Sequence, residues 1–486
     1  MLEITQEEVV GSLAAENPWW DEGKAEDRYT RLPRRGYFRM FFELIVQTAL
    51  NRAVVLMGPR RVGKTVMMQH AVQGLIDRGV PARSILYVSI DAPTYTGMHL
   101  EKFLHLFFER NGVGRADETY VLFDEVQYLK DWQVHLKSLV DRYPNTRFVA
   151  SGSAAAALKR ASNESGAGRF TDFLLPPLTF VEYLNFIGVE NELITQNYDG
   201  EYELRTSGSI ELLNAEFVNY INYGGYPEAV LSDVARGNPS RFIKSDIIDK
   251  VLLRDLPSLY GISDIQELNK LFTSVAYNTG NAVSLEKLSQ SSGVSKPTIS
   301  RYLDYLEAAF LITRLRRIDE KGGTFARERE FKVYLTNPSM RAALFQPVTA
   351  DSEIMGQLVE TAIVGQWLHS PFFNELAYAR WKRSKRSKEH QDSYCEVDLV
   401  RWIDGSNRPF ECTEIKWSDR FVERPEQLEG LLEFCRKNSV ILKIEATTRS
   451  RSAITSVSDI TIQQMPSALK CYTIGREALD FRELIS

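Results

Sequence analysis

The 486 residues are 44% hydrophobic, 25% charged and 11% aromatic with a formal net charge of −5, a balance that excludes disordered and fibrous classes and leaves ample apolar surface to bury. No run of about 18 apolar residues occurs, since even Phe41 to Leu50 is broken by Glu43 and Gln47, so no membrane span is expected. The acidic start MLEITQEEVV lacks the basic flank and apolar core of a secretory signal, which points to a cytoplasmic protein.

In chain order, residues 1–35 carry Asn17-Pro18-Trp19-Trp20 among mixed charges with weak periodicity and read as an irregular N-terminal arm. An amphipathic stretch from Tyr37 leads into Ala53–Met57, an apolar run bounded by polar residues and glycine that reads as a buried parallel strand. Similar runs at Ser84 to Ile90, Tyr120 to Phe123 and Arg147 to Ala150 alternate with helix-length segments at Val66 to Arg78 and Trp132 to Tyr143. Strands alternating with helices predict a parallel α/β core over 36–175. Past Pro176-Pro177 the pattern turns helical, at Phe180 to Ile187, Ala215 to Tyr223 and Pro239 to Tyr277, which predicts a helical lid over 176–280. A helical and hairpin unit over 281–345 and a final α/β segment over 346–486 complete an α/β multidomain chain. Cys395, Cys412, Cys435 and Cys471 lack CxxC spacing and read as buried thiols rather than a zinc site or a disulfide framework.

The strongest motif is Gly58-Pro59-Arg60-Arg61-Val62-Gly63-Lys64-Thr65, followed by Val66, which matches G-x-x-x-x-G-K-[ST] directly after a strand and before a helix. Glycines let backbone N–H groups wrap phosphates at a helix N-terminus, Lys64 reaches the β/γ-phosphates, and Thr65 ligates Mg²⁺. Tyr120-Val-Leu-Phe-Asp124-Glu125 supplies the complement: Asp124 to hold Mg²⁺ through its water shell and Glu125 to polarise the attacking water. ATP and Mg²⁺ are therefore the expected cofactors, and hydrolysis is favoured over a kinase. Ser151 at the end of the Arg147 strand would sense the γ-phosphate, or it serves a Gly-Ser loop turn with Gly152 and Ser153. Gly168-Arg169 follows a Ser/Gly-rich loop, which would let Arg169 reach a nucleotide in its own or a neighbouring subunit, unless it is a solvated surface arginine.

Farther on, Val283 to Leu306 reads as helix, glycine turn and a second helix with Ser295 as N-cap and Pro297 in the first turn. Lys296, Thr298, Ser300 and Arg301 fall near the start of that helix, where major-groove readers place contacts, and Arg314, Arg316, Arg317 and Lys321 would charge a following wing. The same fold equally serves as a lid or oligomer contact. In the last segment Glu360 is an acid on an apolar helix. The period-2 rule pairs Glu396 with Asp398, and Glu414 with Lys416, on two strands joined by Asp404-Gly405-Ser406-Asn407. Asp398, Glu414 and Glu360 as metal ligands with Lys416 activating water is similar to metal-dependent nucleases, and chance charge alternation on amphipathic strands is the competing reading. The basic stretch Arg380 to Lys388 would contact phosphates or simply keep a loop soluble.

Taken in order, the phosphate loop, Phe123-Asp124-Glu125, the Gly-Ser strand end, the Gly-Arg loop, Leu178-Thr-Phe-Val-Glu-Tyr183, Tyr223-Gly-Gly-Tyr-Pro-Glu228 and the terminal Glu-Val-Asp with Glu-Ile-Lys carry a family resemblance. From about Trp19 to about Lys443 the chain resembles bacterial and archaeal AAA-type P-loop ATPases that bear a C-terminal, restriction-endonuclease-like domain of unknown function. The resemblance implies ATP binding, an oligomerising core and a winged-helix-like unit near 281–345. It supports Gly58, Gly63, Lys64, Thr65, Asp124 and Glu125 residue by residue. The strand ending in Ser151 departs from the family's usual sensor asparagine. The expected function is a Mg²⁺-dependent ATPase that couples nucleotide turnover to DNA binding or cleavage; the alternative is a nucleotide-controlled switch or scaffold whose nuclease-like domain cuts nothing.

Overall fold

Short aliphatic runs build the first sheet. In a computed structural model that describes residues 5–152, 168–205, 208–325, 330–382, 394–402 and 408–485, they form β1 (Ala53–Met57), β2 (Ile85–Ser89), β3 (Thr119–Asp124), β4 (Thr146–Gly152) and β5 (Phe170–Leu174). Among the described residues these strands pair in the order β2-β3-β4-β1-β5, and every pairing is parallel. Four of the strands lie where the apolar runs place them. β5 has no such run, because Thr171 and Asp172 interrupt Phe170-Thr-Asp-Phe-Leu, and the strand lies at the edge of the sheet with only Phe173 buried.

The chain divides into two compact units, one built on the residues up to Pro177 and the other on Leu178–Glu307 and Leu311–Phe481. In the first, residues expected as an irregular arm are helical: Gln6–Glu16, closed by a Thr5/Glu8 capping box, then Trp19–Glu22 and Asp27–Thr30. Their periodicity is weak because the first helix buries only Val9 and Leu13; specific polar contacts hold the arm in place. Trp19 and Trp20 each donate an indole N–H to the Ile85 carbonyl, at 3.1 and 2.7 Å. Asn17 accepts from the Tyr87 N–H at 2.6 Å and donates to the Tyr87 carbonyl at 2.8 Å, so it satisfies the open edge of β2 as a neighbouring strand would. Asn17→Ala would leave both backbone groups buried and unpaired, and is expected to cost about 1–3 kcal/mol in denaturant unfolding. An unchanged midpoint would rule out this role for Asn17.

In the second unit, helix Phe180–Phe186 starts at a Thr179/Glu182 capping box. The hairpin β6 (Ile194–Gln196) and β7 (Tyr202–Leu204) precedes helix Ile210–Tyr223. Helix Ile265–Tyr277 leads to β8 (Ala282–Val283), helices Leu285–Ser292 and Lys296–Ala308, and the antiparallel pair β9 (Ile312–Ile318) and β10 (Phe331–Leu335). Helix Met355–Trp367, buried along its whole length from Leu358 onward, is followed by β11 (Leu376–Lys382), β12 (Tyr394–Trp402), β13 (Pro409–Glu414), β14 (Lys443–Thr448), β15 (Ala453–Val457) and β16 (Ile460–Pro466). All but β6 and β7 belong to one sheet, in the order β15-β16-β14-β13-β12-β11-β9-β10-β8 among the described residues. Separate domains at 281–345 and 346–486 are therefore corrected: β9 pairs with β10 on one side and runs parallel to β11 on the other, so hydrogen bonds cross the expected boundary. Helix Glu429–Lys437 packs Leu431, Leu432 and Phe434 against Trp381, Val397 and Cys412 of this sheet. The four cysteines are buried and free.

Candidate functional site

The sheet order brings the first site together. β4 lies between β1 and β3, so the loop after β1, the acids ending β3 and Ser151 ending β4 converge at the carboxyl ends of adjacent strands, where open α/β sheets bind ligands. Gly63, at φ 94°, turns the loop into helix Lys64–Asp77. Gly58 has no room for a side chain, because a Cβ there would lie 2.2 Å from the Leu175 carbonyl oxygen. Val62 is buried and Arg61 exposed, while Arg60 reaches the Tyr128 hydroxyl at 2.8 Å. The buried Lys64 ammonium donates to the Gly58 and Pro59 carbonyls at 3.1 and 2.8 Å, which folds it into the loop's concavity.

Thr65 Oγ1 donates to Asp124 Oδ2 at 2.6 Å, so the loop hydroxyl and the β3 carboxylate address one point. Asp124, 1% exposed, also accepts from Tyr87 at 2.8 Å and from the Ser151 hydroxyl. Glu125 has a left-handed backbone at φ 55°, fixed by its N–H bonding to Ser151 Oγ at 3.2 Å and to Asp124 Oδ1 at 3.1 Å. The Gln127 amide holds its carboxylate. Burial pushes Glu125 above the ordinary carboxylate range, with the Asp124 charge adding and Lys64 opposing. Hydroxyl, carboxylate and cradle fit a nucleotide with Mg²⁺: Thr65 and Asp124 would hold the ion, which when bound would neutralise phosphate charge.

Tyr87 and Gln127 are site residues that the motifs do not announce. Tyr87 is the one aromatic in the aliphatic strand β2, and only sheet packing delivers its hydroxyl to Asp124. Glu16 also approaches this end of the sheet, accepting from Ser89 N–H at 3.1 Å. Burial, joined by the charges of Asp91 and Asp124, raises its pKa to about 7.

Arg169 is a correction as a finger for its own site. Its carbonyl accepts from Ala53 N–H, beside Phe170, which pairs with Ala53 at the amino ends of β5 and β1. The phosphate loop leaves the other end of β1, and the Arg169 guanidinium is paired with Asp141. Ser153 and the loop at 162–167 lie outside the described residues.

In the second unit Glu360, Asp398, Glu414 and Lys416 do converge. Lys416 Nζ is 2.7 Å from Glu414 Oε1 and 3.5 Å from Asp398 Oδ2, and the Ile415 N–H donates to Asp398 Oδ2 at 2.9 Å. A residue the sequence reading passes over sits among them. Lys332 of β10 lies 2.6 Å from Glu360, 2.6 Å from Glu396 and 3.0 Å from Asp398. Its signal is a lone lysine in the otherwise uncharged, wholly buried strand Phe331-Lys-Val-Tyr-Leu. Burial raises Glu360 and Glu414 to about 7. Asp398, against the same burial, is held far below the usual range by Lys332 and Lys416. Among the described residues no group of three or more His, Cys, Asp or Glu side chains is placed to hold a metal ion. The metal set Glu360, Asp398 and Glu414 is thus corrected: ammonium groups stand between the acids.

The arginines expected to charge a wing are also engaged. Arg314 binds Glu307 and Asp304, Arg317 binds Glu330 and the Arg380 carbonyl, and Arg316 donates to the Asn374 carbonyl. Lys296, 3.4 Å from Glu286, and Arg301 are exposed on their helix. Residues 383–393 of the basic stretch and the turn at 404–407 lie outside the described residues.

Residues 50–184 match the family model of the AAA domain, and residues 214–351 match a domain of unknown function (DUF8612). An uncharacterized protein of Haemophilus influenzae is 28% identical over 273 residues, covering 55% of this chain and 63% of that protein, so the match spans less than two thirds of the relative. An uncharacterized protein of Methanocaldococcus jannaschii is 22% identical over 351 residues, covering 69% of this chain and 72% of that one. AMPPCP-bound DnaA from Aquifex aeolicus shares 15% identity at a TM-score of 0.28, covering 57% of this chain and 89% of that structure. No helix among the described residues is long and apolar enough to cross a membrane. The family match and the site's geometry together support a P-loop core of the AAA ATPase type over residues 50–184.

Proposed function

We propose that the chain is a Mg²⁺-dependent ATP hydrolase that works as a nucleotide-controlled switch, its second unit engaging a partner without cutting it. The observation that carries the hydrolase reading is the meeting of Thr65 and Asp124 at 2.6 Å beside a buried Glu125 and the Lys64 loop. The loop amides, the helix N-terminus and Lys64 bind and orient the phosphates. Glu125, kept in place by Ser151 and Gln127, takes the proton of the attacking water. Tyr87 and Ser151 fix Asp124, which with Thr65 would hold the metal. Against cleavage stands Lys332, an ammonium among the carboxylates of the nuclease-like segment that the nuclease arrangement does not call for.

DNA is the partner class best supported, through the winged-helix-like helix Lys296–Ala308 with Lys296 and Arg301 exposed at its start. Phosphate release by the full chain with ATP and Mg²⁺ tests the reading. Turnover is expected in the wild type, and neither binding nor turnover in Lys64→Ala or in excess chelator. Duplex DNA in the same assay should bind, weaken on Lys296→Ala/Arg301→Ala, and stay intact. Wild-type turnover by Lys64→Ala would defeat the hydrolase reading, and Mg²⁺-dependent strand cleavage would defeat the switch.

A further inference from the structure

Lys332 is 2% exposed at the side chain, and its ammonium meets Glu360 Oε1, Glu396 Oε1 and Asp398 Oδ1 at 2.6, 2.6 and 3.0 Å. A lysine ammonium has three N–H donors and no acceptor, so three carboxylates saturate it. The acids come from two elements, Glu360 from helix Met355–Trp367 and the other two from one face of β12. Tyr334, two residues along β10 on the same face, donates to Glu360 Oε1 at 2.7 Å and completes its environment. Beside them, Glu414 Oε2 is buried with no hydrogen-bond partner.

Carboxylates gathered out of water repel one another and lose hydration, so a cation has to stand among them. Here the protein supplies it from a strand of the same sheet. We propose that the Lys332 ammonium is the resident cation of this carboxylate cluster, standing where a divalent ion would bind, and that a chain without it holds a divalent metal there instead. The carboxylates keep Lys332 charged in spite of its burial. This inference stands on the second unit alone and does not depend on the nucleotide reading.

The test is Mn²⁺ titration by calorimetry on the full chain without nucleotide, with Asp124→Asn in every sample so that the first site adds no signal. With Lys332 intact, no stoichiometric binding is expected. Lys332→Met should gain about one Mn²⁺ per chain, lose it again when Asp398→Asn is added, and show a melting temperature raised by Mn²⁺. Lys332→Arg, which keeps the charge, should gain nothing. If Lys332→Met is unfolded in the absence of metal, refolding on addition of Mn²⁺ supports the proposal and failure to refold overturns it. It is also overturned if the chain with Lys332 intact binds one Mn²⁺ that Asp398→Asn removes, or if folded Lys332→Met binds none.

Discussion

Glu125→Gln is expected to bind ATP as the wild type does and to hydrolyse it about 10²- to 10⁴-fold more slowly, the usual worth of a positioned general base. The amide keeps the shape of the side chain but cannot accept the water's proton. The backbone that presents it does not depend on the carboxylate. The φ of 55° is maintained by the Glu125 N–H bonds to Ser151 Oγ and Asp124 Oδ1 at 3.2 and 3.1 Å. A non-glycine residue in that region costs of order 1–3 kcal/mol and persists only where its surroundings over-determine it, which argues that the structure holds Glu125 there for its chemistry. Burial, which holds the acid above the ordinary carboxylate range, adds a sign: the base is competent only when ionised, so turnover should climb as pH rises past that range. Single-turnover phosphate release with a parallel binding titration checks this. Hydrolysis by Glu125→Gln at the wild-type rate would move the base elsewhere.

The second large effect concerns folding. Lys470 and Glu445, with side chains 4% and 2% exposed, form an ion pair in the second unit. Glu411 lies 3.7 Å from Lys470, and Lys443 is 3.1 Å from Glu445. Although burial opposes it, Lys470 and Lys443 hold Glu445 at about 2, so the acid stays ionised in the core. Lys470→Ala would strip that charge of its nearest partner, and breaking a buried pair from one side costs about 3–5 kcal/mol. Replacing the pair together, as Lys470→Met with Glu445→Leu, removes the stranded charge and should recover most of the loss. Urea unfolding of both variants decides the matter. A single substitution no worse than the double would mean that Lys443 alone neutralises Glu445.

What the sequence determines here is what is contiguous. β1, the loop from Gly58 to Thr65 and the helix after it are one uninterrupted stretch whose glycines, lysine and apolar run each have a local physical reason, and Asp124-Glu125 is adjacent by covalent connection. The period-2 rule likewise sets Asp398 with Glu396, and Glu414 with Lys416, before any fold is known. Tertiary structure decides what distant strands do to one another. Parallel register puts Arg169 beside Ala53, at the end of the sheet away from the phosphate loop. Sheet packing carries the Tyr87 hydroxyl to Asp124, and two tryptophans and an asparagine turn a weakly periodic arm into a cap on the edge of β2. The same sheet that joins β9 to β11 brings Lys332 to acids 28 and 66 residues away in sequence. No local pattern encodes that meeting, because its cause is the cost of burying like charges without a cation, and that cost arises only once the chain has folded.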